Sequence, residues 1–261
     1  MNGTILPLGF VLGTIIGSFL NVCIHRLPQE ESIVSPGSHC PYCGTPIRFY
    51  DNIPLVSFIL LRGRCRGCKA RISLRYPLVE LLTGLFSVIL LYRYGISSLY
   101  LIYFAFFTSL TVVSFIDLSH KIIPDVVSLP GIVIGLAVSG LHPQLALKDS
   151  LIGVLLGGGT LYLVASGYYW IAKREGMGGG DIKLLAMIGA FIGWKGVLFT
   201  ILCSSLLGAV VGGALMLISS AVDSKYAVPF GPFLSLGAII YVLWGGSLIN
   251  WYWALLRGTA I

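Results

Sequence analysis

Apolar residues fill this chain in long blocks that are separated by short polar connections. The blocks are residues 5–24, 76–94, 98–117, 126–141, 150–172, 182–193, 196–219 and 231–250. About 20 residues of α-helix cross the hydrocarbon layer of a membrane. The pattern therefore predicts about eight transmembrane helices, with seven spans and one half-helix as the alternative because the block at 182–193 is short.

The composition supports a membrane fold. Hydrophobic residues make up 56% of the 261 residues and charged residues only 10%, whereas charge accounts for about a quarter of an ordinary soluble domain. We therefore expect an all-α polytopic membrane protein. The first block begins almost at Met1 without a basic region or a clear cleavage site, which indicates a retained helix rather than a secretion signal.

One polar stretch, residues 25–75, separates the first two apolar blocks and is strongly basic. It carries +5 of the net charge of +7. Its basic residues are Arg26, Arg48, Arg62, Arg64, Arg66, Lys69, Arg71 and Arg75. Because positive charge beside membrane helices marks the cytoplasmic side, we expect this stretch in the cytoplasm and the N-terminus outside.

The chain then divides into three parts. Residues 1–24 form a first transmembrane helix, residues 25–75 a cytoplasmic module, and residues 76–261 a helical bundle. The module is rich in proline and glycine and has few large apolar side chains. A fold of this size needs a metal or disulfides to hold it together.

Glycines recur every four residues in three of the apolar blocks. They are Gly9, Gly13 and Gly17, then Gly153 and Gly157, then Gly208 and Gly212. Small residues at this interval let helix backbones approach closely in lipid. We interpret all three stripes as helix-packing surfaces without a chemical role.

Four cysteines of the module form two CxxC pairs. They are Cys40 with Cys43, and Cys65 with Cys68, separated by 21 residues, which is typical of a four-thiolate zinc site. The alternatives are two disulfides or redox-active pairs, but disulfides seldom persist in a reducing cytoplasm. We predict a structural zinc, since four thiolates leave no open position for water.

Two aspartates lie at the ends of apolar blocks, where a carboxylate is costly and suggests a function. Asp117 closes the third block, and Asp181 follows three glycines. Counting helices from an outside N-terminus puts both on the cytoplasmic face. Two close carboxylates share one proton, so one can take a proton from water while the other donates to a scissile carbonyl, and either aspartate fits either role. We predict a membrane aspartyl peptidase with this catalytic pair.

The residues around Asp181 are further site candidates. Glycine lets an extended substrate backbone come close, so Gly178 and Gly180 are expected to shape the site. A plain loop with Asp181 as a helix cap is the alternative. Lys183 suits a pairing with an aspartate or with substrate as well as it suits a surface charge.

Two further acidic residues have simpler explanations beside a site role. Asp125 follows Pro124 at the start of a predicted helix, where the helix dipole stabilises an acidic residue. Glu80 lies just inside the second helix, where it fits an interfacial charge or a partner for Arg75. We keep both as site candidates.

Two other classes of protein fit the composition. A proton- or ion-coupled transporter would use the two aspartates as relay groups, although such acids more often lie near the membrane midplane. A zinc-bearing membrane scaffold would use them for no chemistry at all. We favour the peptidase because both aspartates fall at one membrane face and one follows a glycine run.

Short motifs occur in a fixed order along nearly the whole chain. They are GSFLNV at 17–22, RLP at 26–28, the two CxxC pairs, NIPL at 52–55, RYPLVEL at 75–81, Asp117 with PD at 124–125, GGGDIKLL at 178–185 and PFGP at 229–232. Together they resemble the type IV prepilin peptidase family, the leader peptidases of type 4 prepilins and type II secretion pseudopilins.

The resemblance implies a multi-pass enzyme of the bacterial inner membrane. Such an enzyme cuts a short basic leader from prepilins or pseudopilins after a glycine, on the cytoplasmic side, with Asp117 and Asp181 as the catalytic pair. Its substrates carry the leader in the cytoplasm and an apolar N-terminal helix in the lipid bilayer. A site at the cytoplasmic rim meets the junction between the two, and no nucleic-acid partner is expected.

The resemblance also implies a second activity. Family members with the cysteine-bearing loop commonly methylate the new N-terminal residue with S-adenosylmethionine. A glycine just ahead of the second CxxC pair is tied to methylation in the family, and Gly63 matches that position. The chain has no Rossmann-type glycine fingerprint, so the methyl donor needs an unconventional site built by the cytoplasmic loop.

Overall fold

The computed structural model describes residues 4–141, 145–173, 178–218 and 229–257. Regular structure in these ranges is almost entirely helical, which confirms the predicted all-α class for them. The α-helices are α1 Ile5–Arg26, α2 Val56–Leu60, α3 Arg75–Tyr94, α4 Ser98–His120, α5 Asp125–Ser139, α6 Leu147–Ala172, α7 Gly179–Ile218 and α8 Gly231–Leu256. Two short 3-10 turns lie at Leu27–Gln29 and Phe49–Asn52.

Six helices, α1, α3, α4, α6, α7 and α8, are long and apolar enough to cross a membrane, judged by length and composition. Helix α5 has 15 residues and a length of about 22 Å. It is shorter than the hydrocarbon layer of about 30 Å. The described residues thus hold six candidate spans, and the predicted count of about eight is not confirmed.

Two of the predicted helices meet at a backbone break inside α7. The block at 182–193 and the described residues 196–218 of the next block lie in α7, which has 40 residues and would be about 60 Å long if straight. Gly193 interrupts it with φ 70° and ψ 179°. Glycine tolerates this backbone because it has no Cβ atom to clash. The break falls at the boundary between the two predicted blocks.

Helix ends extend beyond the apolar blocks. Helix α1 continues to Arg26, and α4 continues to His120 rather than ending at Asp117. The N–H of Lys121 donates to the Asp117 carbonyl at 2.9 Å. Helical hydrogen bonding therefore carries on for almost a turn after the apolar pattern stops, and Asp117 lies within the last turn of α4.

The chain forms two compact units, Met1–Ile116 and Asp117–Ile261. In the first unit, α1 packs along α3. A Cβ atom at Gly13 would lie 2.7 Å from the Thr83 carbonyl oxygen. Any larger residue would push the two helices apart, which confirms the packing role of the first glycine stripe.

In the second unit, α7 packs against α5, α6 and α8. Residues 184–193 of α7 are all buried and form the centre of this unit. A Cβ atom at Gly157 of α6 would lie 2.5 Å from the Leu185 carbonyl oxygen, so the second stripe also packs. A Cβ atom at Gly208 or Gly212 would clash with nothing, and the described residues give no packing reason for the third stripe.

Candidate active site and metal centre

Asp117 is held at the junction of two helices. It lies in the last turn of α4 and is only 5% exposed. The backbone N–H of Gly231, the first residue of α8, donates to Asp117 Oδ2 at 2.9 Å. A helix N-terminus suits a carboxylate because its first N–H groups are unpaired and the helix dipole is positive there. A Cβ atom at Gly231 would lie 2.7 Å from the same oxygen, so this close approach requires glycine.

Asp181 lies in the first turn of α7, which begins at Gly179. Its N–H donates to the Gly178 carbonyl at 3.2 Å, and its side chain is half-buried. The glycine run thus leads directly into the helix instead of forming a separate loop. Asp181 is therefore fixed by the start of a buried helix.

The two aspartates come together within the second unit. They lie close enough for the charge of Asp117 to act on Asp181. Ile123 contacts the neighbours of both: a Cβ atom at Gly180 would lie 2.8 Å from Ile123 Cβ, and one at Gly231 would lie 3.3 Å from Ile123 Cδ1. The last turn of α4 and the first turns of α7 and α8 thus bring the two carboxylates to one candidate site.

Lys183 pairs with Asp125 beside this site. Its Nζ donates to both carboxylate oxygens of Asp125 at 2.7 Å, and this pair joins the start of α5 to the start of α7. The side chains are 40% and 54% exposed, so the pair contributes only about 0.2–1 kcal/mol. Gly178 is exposed, and a Cβ atom there would meet only the Gly180 nitrogen at 4.0 Å.

The four module cysteines form a cluster in the first unit. Their sulfur atoms all lie within 4.8 Å of one another. The Sγ atoms are 3.8 Å apart for Cys40 and Cys68, and 4.0 Å apart for Cys43 and Cys65. All four are free cysteines. Metal–sulfur bonds of about 2.3 Å in a tetrahedron place sulfur atoms about 3.8 Å apart, so the cluster fits a four-thiolate metal site.

The two CxxC loops have the same local fold. In each, the N–H of the first cysteine donates to the carbonyl of the residue five positions on, at 3.0 Å and 2.8 Å. The residue after each second cysteine has a left-handed φ, 67° at Gly44 and 61° at Lys69. The glycine expected at this turn is present in the first loop, whereas the second loop places a lysine there and keeps Gly67 between its cysteines.

Polar neighbours support the cluster. Cys43 Sγ and Thr45 Oγ1 are hydrogen-bonded at 3.2 Å, and this contact lowers the pKa of Cys43 to about 6. The thiolate is the form of cysteine that binds metal. Arg66, inside the second CxxC pair, donates to Asp51 at 2.6 Å and 2.8 Å and holds the pKa of that carboxyl below its usual value. The pair ties the second loop to the 3-10 turn at Phe49–Asn52.

Two known families match the chain in sequence. Residues 11–94 match the Bacterial Peptidase A24 N-terminal domain, and residues 104–213 match the Type IV leader peptidase family. The chain is 40% identical over 270 residues to the Prepilin leader peptidase/N-methyltransferase of Pseudomonas putida, which covers 93% of this chain and 92% of that protein. The chain belongs to the type IV leader peptidase family. The predicted family is therefore confirmed.

Other members of the leader peptidase family are similarly close. The Prepilin leader peptidase/N-methyltransferase of Aeromonas hydrophila is 41% identical over 275 residues, with 93% of this chain and 92% of that protein covered. The protein of the same name from Pseudomonas aeruginosa is 38% identical over 278 residues, with 94% of each chain covered. No solved structure gave a significant match.

In this leader peptidase family member, Glu80 belongs to the first unit, whereas the two aspartates belong to the second. It is 8% exposed, and its Oε2 accepts a hydrogen bond from the Leu55 N–H at 2.8 Å. Arg75 instead holds its guanidinium over the ring of Tyr76, 5.4 Å from the centroid. Glu80 is therefore a buried carboxylate that anchors a loop.

Gly63 closes the turn that follows α2. It has φ 65°, and its N–H donates to the Phe58 carbonyl at 2.8 Å. A Cβ atom at Gly63 would lie 3.0 Å from Phe58 Cζ. Any side chain here would strain the backbone and press on the phenylalanine ring.

Sequence reasoning assigned no role to Gly231 or Ile123. Gly231 lies in the PFGP motif at 229–232, which served only as a family feature. Neither side chain has reactive groups: Gly231 supplies a backbone N–H, and Ile123 supplies an apolar contact surface. The available signal was a glycine between phenylalanine and proline at the start of an apolar block.

Proposed function

We propose that this chain is a membrane aspartyl endopeptidase that removes the short basic leader from type IV prepilins or type II secretion pseudopilins after a glycine. The observation that supports the proposal is that Asp117 and Asp181 lie near each other at the ends of apolar helices, with Ile123 next to Gly180 and Gly231. The names of the family relatives support the class of substrate.

The mechanism needs one proton shared between the two carboxylates. The unprotonated one takes a proton from a water molecule as the water oxygen attacks the scissile carbonyl carbon, and the protonated one donates to the carbonyl oxygen. The tetrahedral intermediate then breaks its C–N bond: the carboxyl that took the proton from water donates it to the leaving amine, and the other carboxylate takes back the hydroxyl proton as the new carboxyl group forms. The Gly231 N–H holds Asp117 in one orientation during these steps.

Separate Asp117→Asn and Asp181→Asn variants test the pair. Each should lose leader removal by at least about 100-fold, because an amide can neither accept nor donate the proton. The matched control is Asp149→Asn in α6, since Asp149 Oδ1 accepts from Trp194 Nε1 at 3.1 Å and an amide oxygen keeps that bond. Full cleavage of a prepilin by either site variant in membranes would refute the mechanism.

We infer that the enzyme lies in the bacterial inner membrane with its N-terminus outside and its site facing the cytoplasm. The +5 charge of residues 25–75 supports this orientation. The three proposed parts are residues 1–24, 25–75 and 76–261. Helix α5 and the second part of α7 bring the six candidate spans to about eight. Alkaline phosphatase fused near residue 45 should be inactive and near residue 96 active, and the opposite result would reverse the orientation.

We infer that Cys40, Cys43, Cys65 and Cys68 hold a structural zinc ion. The sulfur spacing supports a tetrahedral site, and a small module with little apolar core gains its fold from such an ion. Metal analysis of purified protein should give about one zinc per chain. Less than about half an equivalent in a folded, unchelated sample would contradict four-thiolate ligation.

We infer that the enzyme also methylates the new N-terminal residue. When bound, S-adenosylmethionine supplies a methyl group whose C–S bond breaks as a C–N bond forms, and the sulfur keeps the bonding pair as a thioether. The first unit supports such a donor because it contains a cavity with buried polar groups. Mass spectrometry of the mature product should show one added methyl group, and its absence would leave a peptidase only.

A further inference from the structure

An apolar run at residues 53–61 contains α2 and presents two different faces. One face, which includes Phe58, borders a cavity inside the first unit. The other face is exposed and consists of Val56, Ile59 and Leu60, the last two being 73% and 76% exposed. Positions spaced by three and four residues share one side of a helix. Contiguous exposed apolar surface marks an interaction site.

A hydrogen bond fixes this run at the level of a candidate membrane span. Leu55, immediately before α2, donates its N–H to Glu80 Oε2 at 2.8 Å. Glu80 follows Arg75, the first residue of α3, by five positions, so its backbone lies about 7.5 Å along that helix. Helical side chains lean toward the N-terminus, which brings the carboxylate back toward the end of the span. Leu55 therefore lies beside the first turns of α3, and interfacial helices bury their apolar face to a similar depth of about 5–10 Å.

A second cavity places the start of the run beside α1. It measures about 360 Å³, and Asn52 and Pro54 share its wall with Phe19 of α1. Helix α1 is also a candidate span, and Phe19 lies seven residues, or about 10 Å, before its last residue, Arg26. Two candidate spans thus hold the run beside their apolar parts.

Two arginines follow α2 directly. Arg62 and Arg64 are exposed, and neither forms an ion pair with another residue that the structure describes. The N–H of Ile72 donates to the Gly63 carbonyl at 2.8 Å, which closes a hairpin whose base lies just before α3. Both arginines are at this base, whereas Lys69 is at the tip. Basic groups beside a membrane surface attract anionic lipid.

We propose that residues 53–64 anchor the cysteine module to lipid. The exposed face of α2 enters the outer part of the acyl layer, and Arg62 and Arg64 bind the phosphate groups of anionic phospholipid. Lipid suits this surface because the face is apolar, its depth matches the interface and its edge is positive. Since α2 presents Phe58 to the cavity, lipid on one side of the helix also supports the cavity wall on the other. The anchor does not depend on the proposed peptidase or methyl-transfer activity.

The test measures contact with lipid in full-length protein, placed in nanodiscs of phosphatidylcholine and phosphatidylglycerol. An environment-sensitive fluorescent amino acid replaces Ile59, and lipids brominated on the upper acyl chain quench it only at short range. Brominated phosphatidylglycerol should quench at least about half of the emission, because the apolar face lies about 5–10 Å deep. The control position is Tyr42, which is 75% exposed in the first CxxC loop. Its emission should fall by less than about a tenth, because a solvated turn stays outside the acyl layer.

The role of lipid charge is tested with the same label. At equal mole fraction, brominated phosphatidylglycerol should quench about twofold more than brominated phosphatidylcholine, because the two arginines enrich anionic lipid beside α2. The double variant Arg62→Gln, Arg64→Gln should lose this difference, whereas Lys69→Gln at the hairpin tip should keep it. Equal quenching by the two lipids without these substitutions would overturn the anionic lipid site.

The remaining outcomes also decide the matter. Emission at position 59 that neither lipid quenches, or equal quenching at positions 42 and 59, overturns the anchor. An emission change at position 59 only after a prepilin is added would assign the face to the substrate instead. If the labelled protein fails to fold, photoactivatable phosphatidylglycerol is used with wild-type protein. Labelled peptides from residues 53–64 then support the anchor, and labelling confined to the long helices overturns it.

Discussion

Replacing Gly231 by alanine tests how the Asp117 carboxylate is held. The added Cβ atom would lie 2.7 Å from Asp117 Oδ2, and ordinary contact begins at 3.4 Å. The oxygen must therefore retreat by about 0.7 Å, or α8 must move by a similar amount. Either change stretches the hydrogen bond from the Gly231 N–H, now 2.9 Å.

The size of the effect follows from this geometry. A hydrogen bond to a charged group contributes about 1.5–3 kcal/mol, and a misplacement of about 1 Å in a catalytic group costs roughly 100-fold in rate. We expect Gly231→Ala to lower kcat for leader removal by about 10- to 100-fold. The variant should still fold, because alanine is tolerated at the start of a helix.

Gly246→Ala is the matched control in the same helix. A Cβ atom at Gly246 would meet nothing within 4 Å, and alanine in a helix interior is favoured over glycine by about 0.5–1 kcal/mol. Its kcat should equal that of the wild type. A wild-type kcat in Gly231→Ala, measured on a purified prepilin in detergent, would show that this contact does not orient the carboxylate.

Three further changes have expected outcomes. Gly180→Ala should lower the rate of leader removal at least tenfold, because its Cβ atom would lie 2.8 Å from the branched Cβ of Ile123. The control Gly179→Ala has open space around the added Cβ atom and should keep the wild-type rate. Equal rates in the two variants would contradict a role for the Ile123 contact. Asp51→Asn should speed zinc release to a chelator at pH 7, because the second CxxC loop loses its ion pair, and an unchanged rate would show that the pair is dispensable. Gly63→Ala should lower the free energy of unfolding by about 1 kcal/mol, because alanine is strained at the positive φ of this position. Mass spectrometry of the product should show a larger loss of methylation than of leader removal. Equal losses would contradict a separate methylation site.

Much of the candidate site could be predicted from the sequence because its chemistry lies in residue types with few other uses. Two CxxC pairs at metal-site spacing predicted a cluster, and the sulfur atoms do gather within 4.8 Å. Carboxylates at the ends of apolar blocks are costly, which singled out Asp117 and Asp181. The all-helical class followed from block length alone.

What the sequence missed depends on contacts between distant segments. The Gly231 N–H meets Asp117 across 114 positions, and the Leu55 N–H meets Glu80 across 25. A backbone N–H has no signature in a sequence, so neither partner was foreseeable.

The short helix α5 has a consequence for the lipid around it. At about 22 Å it cannot reach both surfaces of a hydrocarbon layer of about 30 Å. As one of the proposed spans, α5 requires the bilayer to thin beside it, or polar headgroups and solvent to follow its ends inward. Helix α5 starts two residues after Ile123, which contacts the surroundings of both aspartates. Hydrolysis of each leader consumes one water molecule. Local thinning of the bilayer at this point would let water reach the aspartates without a tunnel through the protein.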